Sequence, residues 1–252
     1  MYDYKQSAKE LLRHVLFRCG LSTTLDVIRN WRSRHGRLPD GSHLRERDMA
    51  GIFSHIYANG AWVMHDQQDS LSGVGSTRRA TDELASQLAT FLREVGCRRL
   101  VDIGCGDFNW MQRVAGDFDY LGIDVVPRVV EENRARYGKD GRRFICMDAT
   151  RAAIEPGDVA VCREVLFHLS FEDGLRLMRN IRAAGFGHVL FTNDTSIWFN
   201  SDIRSGDFRR INLRRAPYNL PAPQRELRDD KVSMGRVLAV WPGSALPEGA
   251  QE

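Results

Sequence analysis

The sequence predicts an α/β protein built on one mostly parallel, Rossmann-like sheet with a helical segment in front of it. Three observations carry this expectation. Beyond residue 98, short apolar strand-like runs alternate with helical patterns, the signature of a parallel sheet covered by helices. The run Leu100-Val-Asp-Ile103 meets two glycines one residue apart, Gly104 and Gly106, a strand-to-turn entry that brings backbone close to a nucleotide-like ligand. Near the C-terminus, two strand-like runs at about 224–229 and 234–241 are separated by Asp229-Asp230-Lys231, which suits an antiparallel hairpin at the sheet edge.

The bulk composition is that of an ordinary globular chain. Its 252 residues are 42% hydrophobic and 27% charged, enough for one well-buried core. A net charge of +3 is too weak to argue for nucleic acid as a partner. The five cysteines are scattered and form no C-x-x-C. This fits a reduced, cytoplasmic setting and suggests neither a metal site nor a disulfide framework. No apolar run is long enough for a membrane span. Arg13, His14 and Arg18 interrupt Leu11–Phe17, so no signal-peptide core is expected.

Taken in order, residues 5–19 put Ala8, Leu11, Leu12, Val15, Leu16 and Cys19 on one helical face, and Gly20 ends the pattern. A short helix carrying Leu25, Ile28 and Trp31 follows, then breakers at Gly36, Pro39 and Gly41. A third helix gathers Met49, Ile52, Phe53, Ile56 and Tyr57. Residues 1–68 are therefore read as a helical cap or lid; a packing element or a homo-oligomer contact fits the same pattern. The loop Asp69–Thr77 supplies Gly73, Gly75 and hydroxyls that can cap the next helix, about 77–95, whose apolar face is Ala80, Leu84, Leu88, Phe91, Leu92 and Val95. Strands are expected near 98–103, 119–124, 142–147, 158–162 and 187–193, with helices at 108–115, 126–137 and 171–184. Short right-handed crossovers place the carboxyl ends of these strands on one edge. The main domain spans 69–242, with residues 194–223 as an Arg-, Asn- and Pro-rich insertion on the acceptor side and 243–252 as a disordered tail.

The glycine turn narrows the ligand. A dinucleotide fingerprint needs a third glycine where Asn109 stands, and a Walker A loop needs G-K-[ST]. Asp102 and Asp107 would repel a pyrophosphate and suit a cation. S-adenosylmethionine (SAM) carries an ammonium and a sulfonium and no phosphate. Acids follow three consecutive expected strands in a matching order. Asp102 can reach the amino-acid ammonium, directly or through water. Asp124 can accept from both ribose hydroxyls. Asp148 can accept from the adenine amino group, with Met147 and Ala149 beside the ring. Each of these acids taken singly also fits a turn or a helix cap.

At this point the sequence resembles the class I SAM-dependent methyltransferases, over roughly 97–193 plus the terminal hairpin. That resemblance implies a seven-stranded sheet with the last strand antiparallel. A narrower resemblance, over about 52–240, rests on Ile52-Phe-Ser-His-Ile-Tyr57, Ser72-Gly-Val-Gly-Ser-Thr77, Gly104-Cys-Gly-Asp-Phe-Asn-Trp-Met111, Cys162-Arg-Glu-Val-Leu-Phe-His-Leu-Ser170, Asp202–Leu213 and Pro217-Tyr-Asn-Leu-Pro221. It is to a bacterial subgroup associated with polysaccharide and glycoconjugate biosynthesis, and implies O-methylation of a sugar hydroxyl. Phe191-Thr-Asn-Asp194 departs from the subgroup, where hydroxyl residues follow the fifth strand.

Methyl transfer is an in-line displacement, so positioning of the acceptor dominates. The segment after the fourth strand borders the sulfonium in class I folds. There His168 is the candidate general base, or else a core or capping histidine, and Glu164 either faces the cofactor or pairs with Arg163. Trp110 either packs in the core or lies on cofactor or acceptor. Tyr57 with Arg204, Arg209 and Arg210 are candidates for the acceptor pocket, unless these arginines form a solvated loop. The expected partner is a small-molecule or glycan acceptor. Methylation of a natural product or a phosphate-linked group, and a SAM-binding scaffold or regulatory protein, are the competing readings.

Overall fold

The structure is a computed structural model that describes residue 19 and residues 48–62, 69–139 and 141–248. The helices expected at 5–19 and 25–31 lie outside the described residues, apart from Cys19. Helix α1 is Met49–Ala58, α2 is Arg78–Glu94, α3 is Pro127–Tyr137 and α4 is Phe171–Ala183. Strands β1 to β7 are Arg99–Ile103, Asp119–Asp124, Arg142–Cys146, Val159–Cys162, His188–Asp194, Arg225–Arg228 and Arg236–Pro242. They form one sheet of order β3-β2-β1-β4-β5-β7-β6. The first five strands run parallel, and β7 is antiparallel to both β5 and β6. This is the class I methyltransferase sheet, with its reversal between β1 and β4 at the point where open α/β sheets bind ligands.

Alternation along the strands divides the core in two. Val101, Ile103, Leu121, Ile123, Val189 and Phe191 face Leu177, Met178 and Ile181 of α4 and the buried face of α1. Leu100, Tyr120, Val159, Val161 and Leu190 face Leu84, Leu88 and Leu92 of α2. Strand β7 serves both layers, with Ala239 and Trp241 on the first face and Leu238 and Val240 on the second. The helix entries follow from local chemistry. Asp48, Thr77 and Ser170 accept from Gly51 N, Ala80 N and Asp173 N, and Pro127 opens α3 where its missing N–H costs nothing.

Two sequence expectations need correction. The helix expected at 108–115 is only a 3₁₀ turn, Met111–Arg113. Phe108 takes φ +58, which stops a helix from starting there. Its ring instead packs against Tyr120, Tyr137 and Phe144. The tail does not come loose at residue 243: Gly243–Ala245 form a 3₁₀ turn and Leu246 is buried. Gly243 lies so close to the Phe186 carbonyl that a side chain would not fit. No helix among the described residues is long and apolar enough to cross a membrane.

Candidate active site

The glycine turn leaves β1 with two residues in the left-handed region, Gly104 at φ +73 and Gly106 at φ +56. Gly104 N and Cys105 N both donate to Ile123 O, at 2.7 and 3.0 Å, which pulls the turn onto β2. Asp124, the last residue of β2, then accepts from Gly106 N at 2.9 Å and from Val126 N at 3.0 Å. Burial pushes its carboxyl pKa up, and these backbone donors oppose the shift. Asn133 of α3 secures the turn from beneath, donating to Gly106 O at 2.7 Å. Asp102 is buried and accepts from the Tyr120 hydroxyl at 2.8 Å. Its pKa is pushed up to about 7, chiefly by burial. Asp148, past the end of β3, takes Thr150 N and Thr150 Oγ1 on Oδ1, at 2.9 and 2.7 Å. Its Oδ2 lies 3.7 Å from Arg151 Nε.

The loop 69–77 lies directly on this turn. Asp107 Oδ2 accepts from Ser70 Oγ at 2.9 Å and Leu71 N at 2.6 Å, and Oδ1 accepts from Ser72 Oγ at 3.1 Å. The Tyr57 hydroxyl is 2.8 Å from Ser72 Oγ. A Cβ on Gly106 would collide with Ser72, so the second glycine is needed for the loop as well as for the turn.

On the far side, His168 Nδ1 is 2.9 Å from the carbonyl of Asp207. A carbonyl only accepts, so Nδ1 carries the hydrogen and Nε2 keeps its lone pair. Burial lowers the His168 pKa from the ordinary histidine value, with the Asp207 bond and Glu164 opposing. The ring is flanked by Phe53, Trp62 and Phe208, at centroid separations of 6.5, 4.9 and 5.4 Å. Glu164 sits at φ +65, with its N–H donated to Thr192 Oγ1 at 2.8 Å and its carboxylate paired with Arg236.

Asp102, Gly104, Gly106, Asp124, Asp148, Ala149 and Glu164 line one cavity, and Tyr57, Trp110 and His168 line it too. Trp110 also belongs to the core, with the Arg163 guanidinium 5.2 Å from its ring centroid. The arginines expected in the acceptor pocket are elsewhere. Arg204 is exposed. Arg209 is fully buried and donates to Leu166 O at 2.8 Å and the Tyr218 hydroxyl at 3.2 Å, over the Phe171 ring. Arg210 pairs with Asp194 at 3.3 Å. None of the three is among the cavity's lining residues. The 194–223 segment instead contributes the Asp207 carbonyl and the Phe208 ring around His168. Sequence reasoning missed Trp62, Met49 and Phe53 as walls, although Met49 and Phe53 stand on the same helical face as Tyr57. It also missed Asp107 as the anchor of the loop. Among the described residues, no cluster of His, Cys, Asp or Glu is placed to hold a metal ion.

Residues 100–184, about a third of the chain, match the methyltransferase domain family. No curated protein matches the chain in sequence. Magnesium protoporphyrin IX methyltransferase from Synechocystis PCC 6803, solved with bound SAM, is similar over 78% of this chain and 97% of its own, at 11% identity and a TM-score of 0.57. Mitomycin 7-O-methyltransferase is similar over 63% of this chain at 19% identity and a TM-score of 0.49; the match spans about half of that protein, 52%. The N-methyltransferase NodS from Bradyrhizobium japonicum WM9 is similar over 64% of this chain and 96% of its own, at 17% identity and a TM-score of 0.46. Residues 100–184 thus match a methyltransferase domain, and the sheet order is that of the class I methyltransferase fold, whose cofactor is SAM. The residues present fit that molecule: four carboxylates line the cavity, and its one lining arginine, Arg163, is already paired with Asp229 at 2.9 Å. Val165 faces Gly104 so closely that a side chain there would not fit, as a backbone cradle requires.

Proposed function

We propose that the chain methylates a sugar hydroxyl of a polysaccharide, glycolipid or other glycoconjugate, with SAM as donor. When bound, SAM supplies an electrophilic methyl group on a sulfonium. Asp124 is assigned to the ribose hydroxyls, because each of its oxygens takes one backbone N–H and keeps a lone pair. Asp148 and Ala149 are assigned to the adenine edge, and Asp102 and Glu164 to the cationic end. His168 carries the reading. Its Nδ1–H is held by Asp207 O, so Nε2 keeps its lone pair, with the rings of Phe53 and Trp62 beside it. It takes the hydroxyl proton as the oxygen attacks. Phe53 and Trp62 offer flat faces against which the C–H side of a sugar ring packs.

The lining also bears on the acceptor. Arg163 is paired with Asp229 and Glu164 with Arg236, so Asp124 and Asp148, joined by Asp102 once it ionises, set the sign of the interior, which disfavours a phosphate or carboxylate at the reacting end. The same aromatic walls suit a flat natural-product ring, which is the second reading. A methyl-transfer screen over neutral oligosaccharides, glycolipids, nucleotide sugars and aromatic natural products, with mass-spectrometric placement of the methyl group, tests both. Methyl on a sugar oxygen supports the proposal. Transfer confined to a natural-product ring or to nitrogen overturns it.

A further inference from the structure

Four charged side chains from three parts of the chain meet behind the cavity. Arg163 follows β4, Asp229 follows β6, Arg236 opens β7, and Glu164 faces the loop 69–77. Arg163 grips Asp229 with two bonds, Nε to Oδ2 at 3.0 Å and Nη2 to Oδ1 at 2.9 Å. The same Nη2 donates to the carbonyl of Gly75 at 2.8 Å. Arg236 donates to Asp229 O at 2.8 Å and Asp229 Oδ1 at 3.3 Å, and its other arm pairs with Glu164. A Cβ on Gly75 would lie 2.7 Å from Glu164 Oε2. Asp229 is 1% exposed and does not line the cavity, whereas Arg163 and Glu164 do.

Such an arrangement is a poor way to gain stability. Desolvating buried ions offsets most of their attraction, and apolar residues of the same volume do as well or better. Its value lies in fixing geometry. Glu164 is held at a positive φ that a glutamate rarely adopts, a local cost that the surrounding contacts must sustain. The loop's other end is tied separately, by Asp107 to Ser70 and Ser72, while Asn109 Nδ2 donates to Ser76 O at 3.0 Å beside Gly75. Release at Asp229 would therefore loosen the Gly75 carbonyl, leaving Asn109 as the remaining tie on that half of the loop, and would free the Glu164 carboxylate with it.

We infer that Asp229 is a positioning residue for cofactor binding, acting through Arg163 on the Gly75 carbonyl and through Arg236 on the Glu164 carboxylate. The inference rests on the cavity's assignment to SAM. It links the β6–β7 hairpin, at the far edge of the sheet, to the loop that covers the glycine turn.

The test compares the 252-residue chain with its Asp229→Asn and Arg163→Lys variants, measuring SAM affinity by calorimetry and amide hydrogen exchange by mass spectrometry. Arg163→Lys keeps the charge but loses the fork that serves Asp229 and Gly75 at once. Both variants are expected to bind SAM at least 10-fold more weakly. They should also exchange faster in a peptide covering residues 72–77, while peptides of β1 and α4 keep their protection. A merely structural role would instead accelerate exchange throughout and leave affinity unchanged well below the melting temperature. If Asp229→Asn does not fold, Arg163→Lys decides alone. Unchanged affinity and unchanged 72–77 exchange in a folded variant overturn the inference. Absence of SAM binding by the wild-type chain overturns the cofactor assignment instead, and the exchange data then still decide whether Asp229 holds the loop.

Discussion

Asp102, the penultimate residue of β1, is buried and bonded to the Tyr120 hydroxyl, with a pKa pushed up to about 7 from 3.8. The folded, ligand-free chain therefore holds a proton between these values that the unfolded chain releases. This group's contribution to stability falls as pH rises from about 4 to 7 and is gone above the folded value. A cationic ligand reverses the preference, because it favours the ionised carboxylate. SAM affinity should rise about 10-fold per pH unit below pH 7 and level off above it. Calorimetry at pH 5.5 to 8 should show that slope in the wild type and a flat profile in Asp102→Asn. His168 titrates in the opposite sense. Its pKa is lowered by burial, so Nε2 stays unprotonated at neutral pH and below the ordinary histidine value. His168→Gln should lower kcat by about 10²–10⁴-fold with the true acceptor. SAM affinity should stay within about twofold of wild type. A kcat unchanged in that variant would make His168 a wall residue only.

The elements that position these groups were unevenly legible in the sequence. Strand β2 ends at Asp124 and α3 starts at Pro127 because apolar alternation and a helix-opening proline are both local signals. The missing helix after the glycine turn was not legible. Phe108 adopts its positive φ because its ring is drawn into a cluster with Tyr120, Tyr137 and Phe144, and those partners lie far away in sequence. The arginine-rich segment misled for the same reason. A run of arginines reads as an anion site, yet the fold pairs Arg210 with Asp194 and buries Arg209 under the turn that carries His168. Gly206 N and Arg209 N donate to the carbonyls of His168 and Phe167, at 2.8 and 2.9 Å, so this segment splints that turn. Arg209→Ala should cost about 3 kcal/mol of stability, since buried carbonyl and hydroxyl partners are left unmet. Urea denaturation measures this. An unchanged midpoint together with a raised acceptor KM would return Arg209 to the acceptor pocket.

Across the molecule, the cavity draws on distant parts of the chain: α1, the 69–77 loop, the ends of β1 to β4, and the turn before α4. Sequence reasoning placed the strand ends, whose order is set by the parallel crossovers. It could not place Asp229 against Arg163, because that contact exists only once β7 is inserted between β5 and β6. A site assembled from so many segments exists only in the folded chain. Ligand binding must then stabilise the fold by mass action, by about 2.7 kcal/mol at a SAM concentration 100 times Kd. For a domain of this size, that corresponds to a rise in Tm of roughly 5–10 °C. The rise should grow with the logarithm of SAM concentration. Asp124→Ala should abolish it while the variant keeps a cooperative transition, because the Asp124 carboxylate meets backbone N–H groups, that of Gly106 in the turn and that of Val126 just beyond β2. If Asp124→Ala retains the full shift, the ribose is held elsewhere. A wild-type Tm indifferent to saturating SAM would mean that the cavity does not take the cofactor its acids and glycines are arranged to receive.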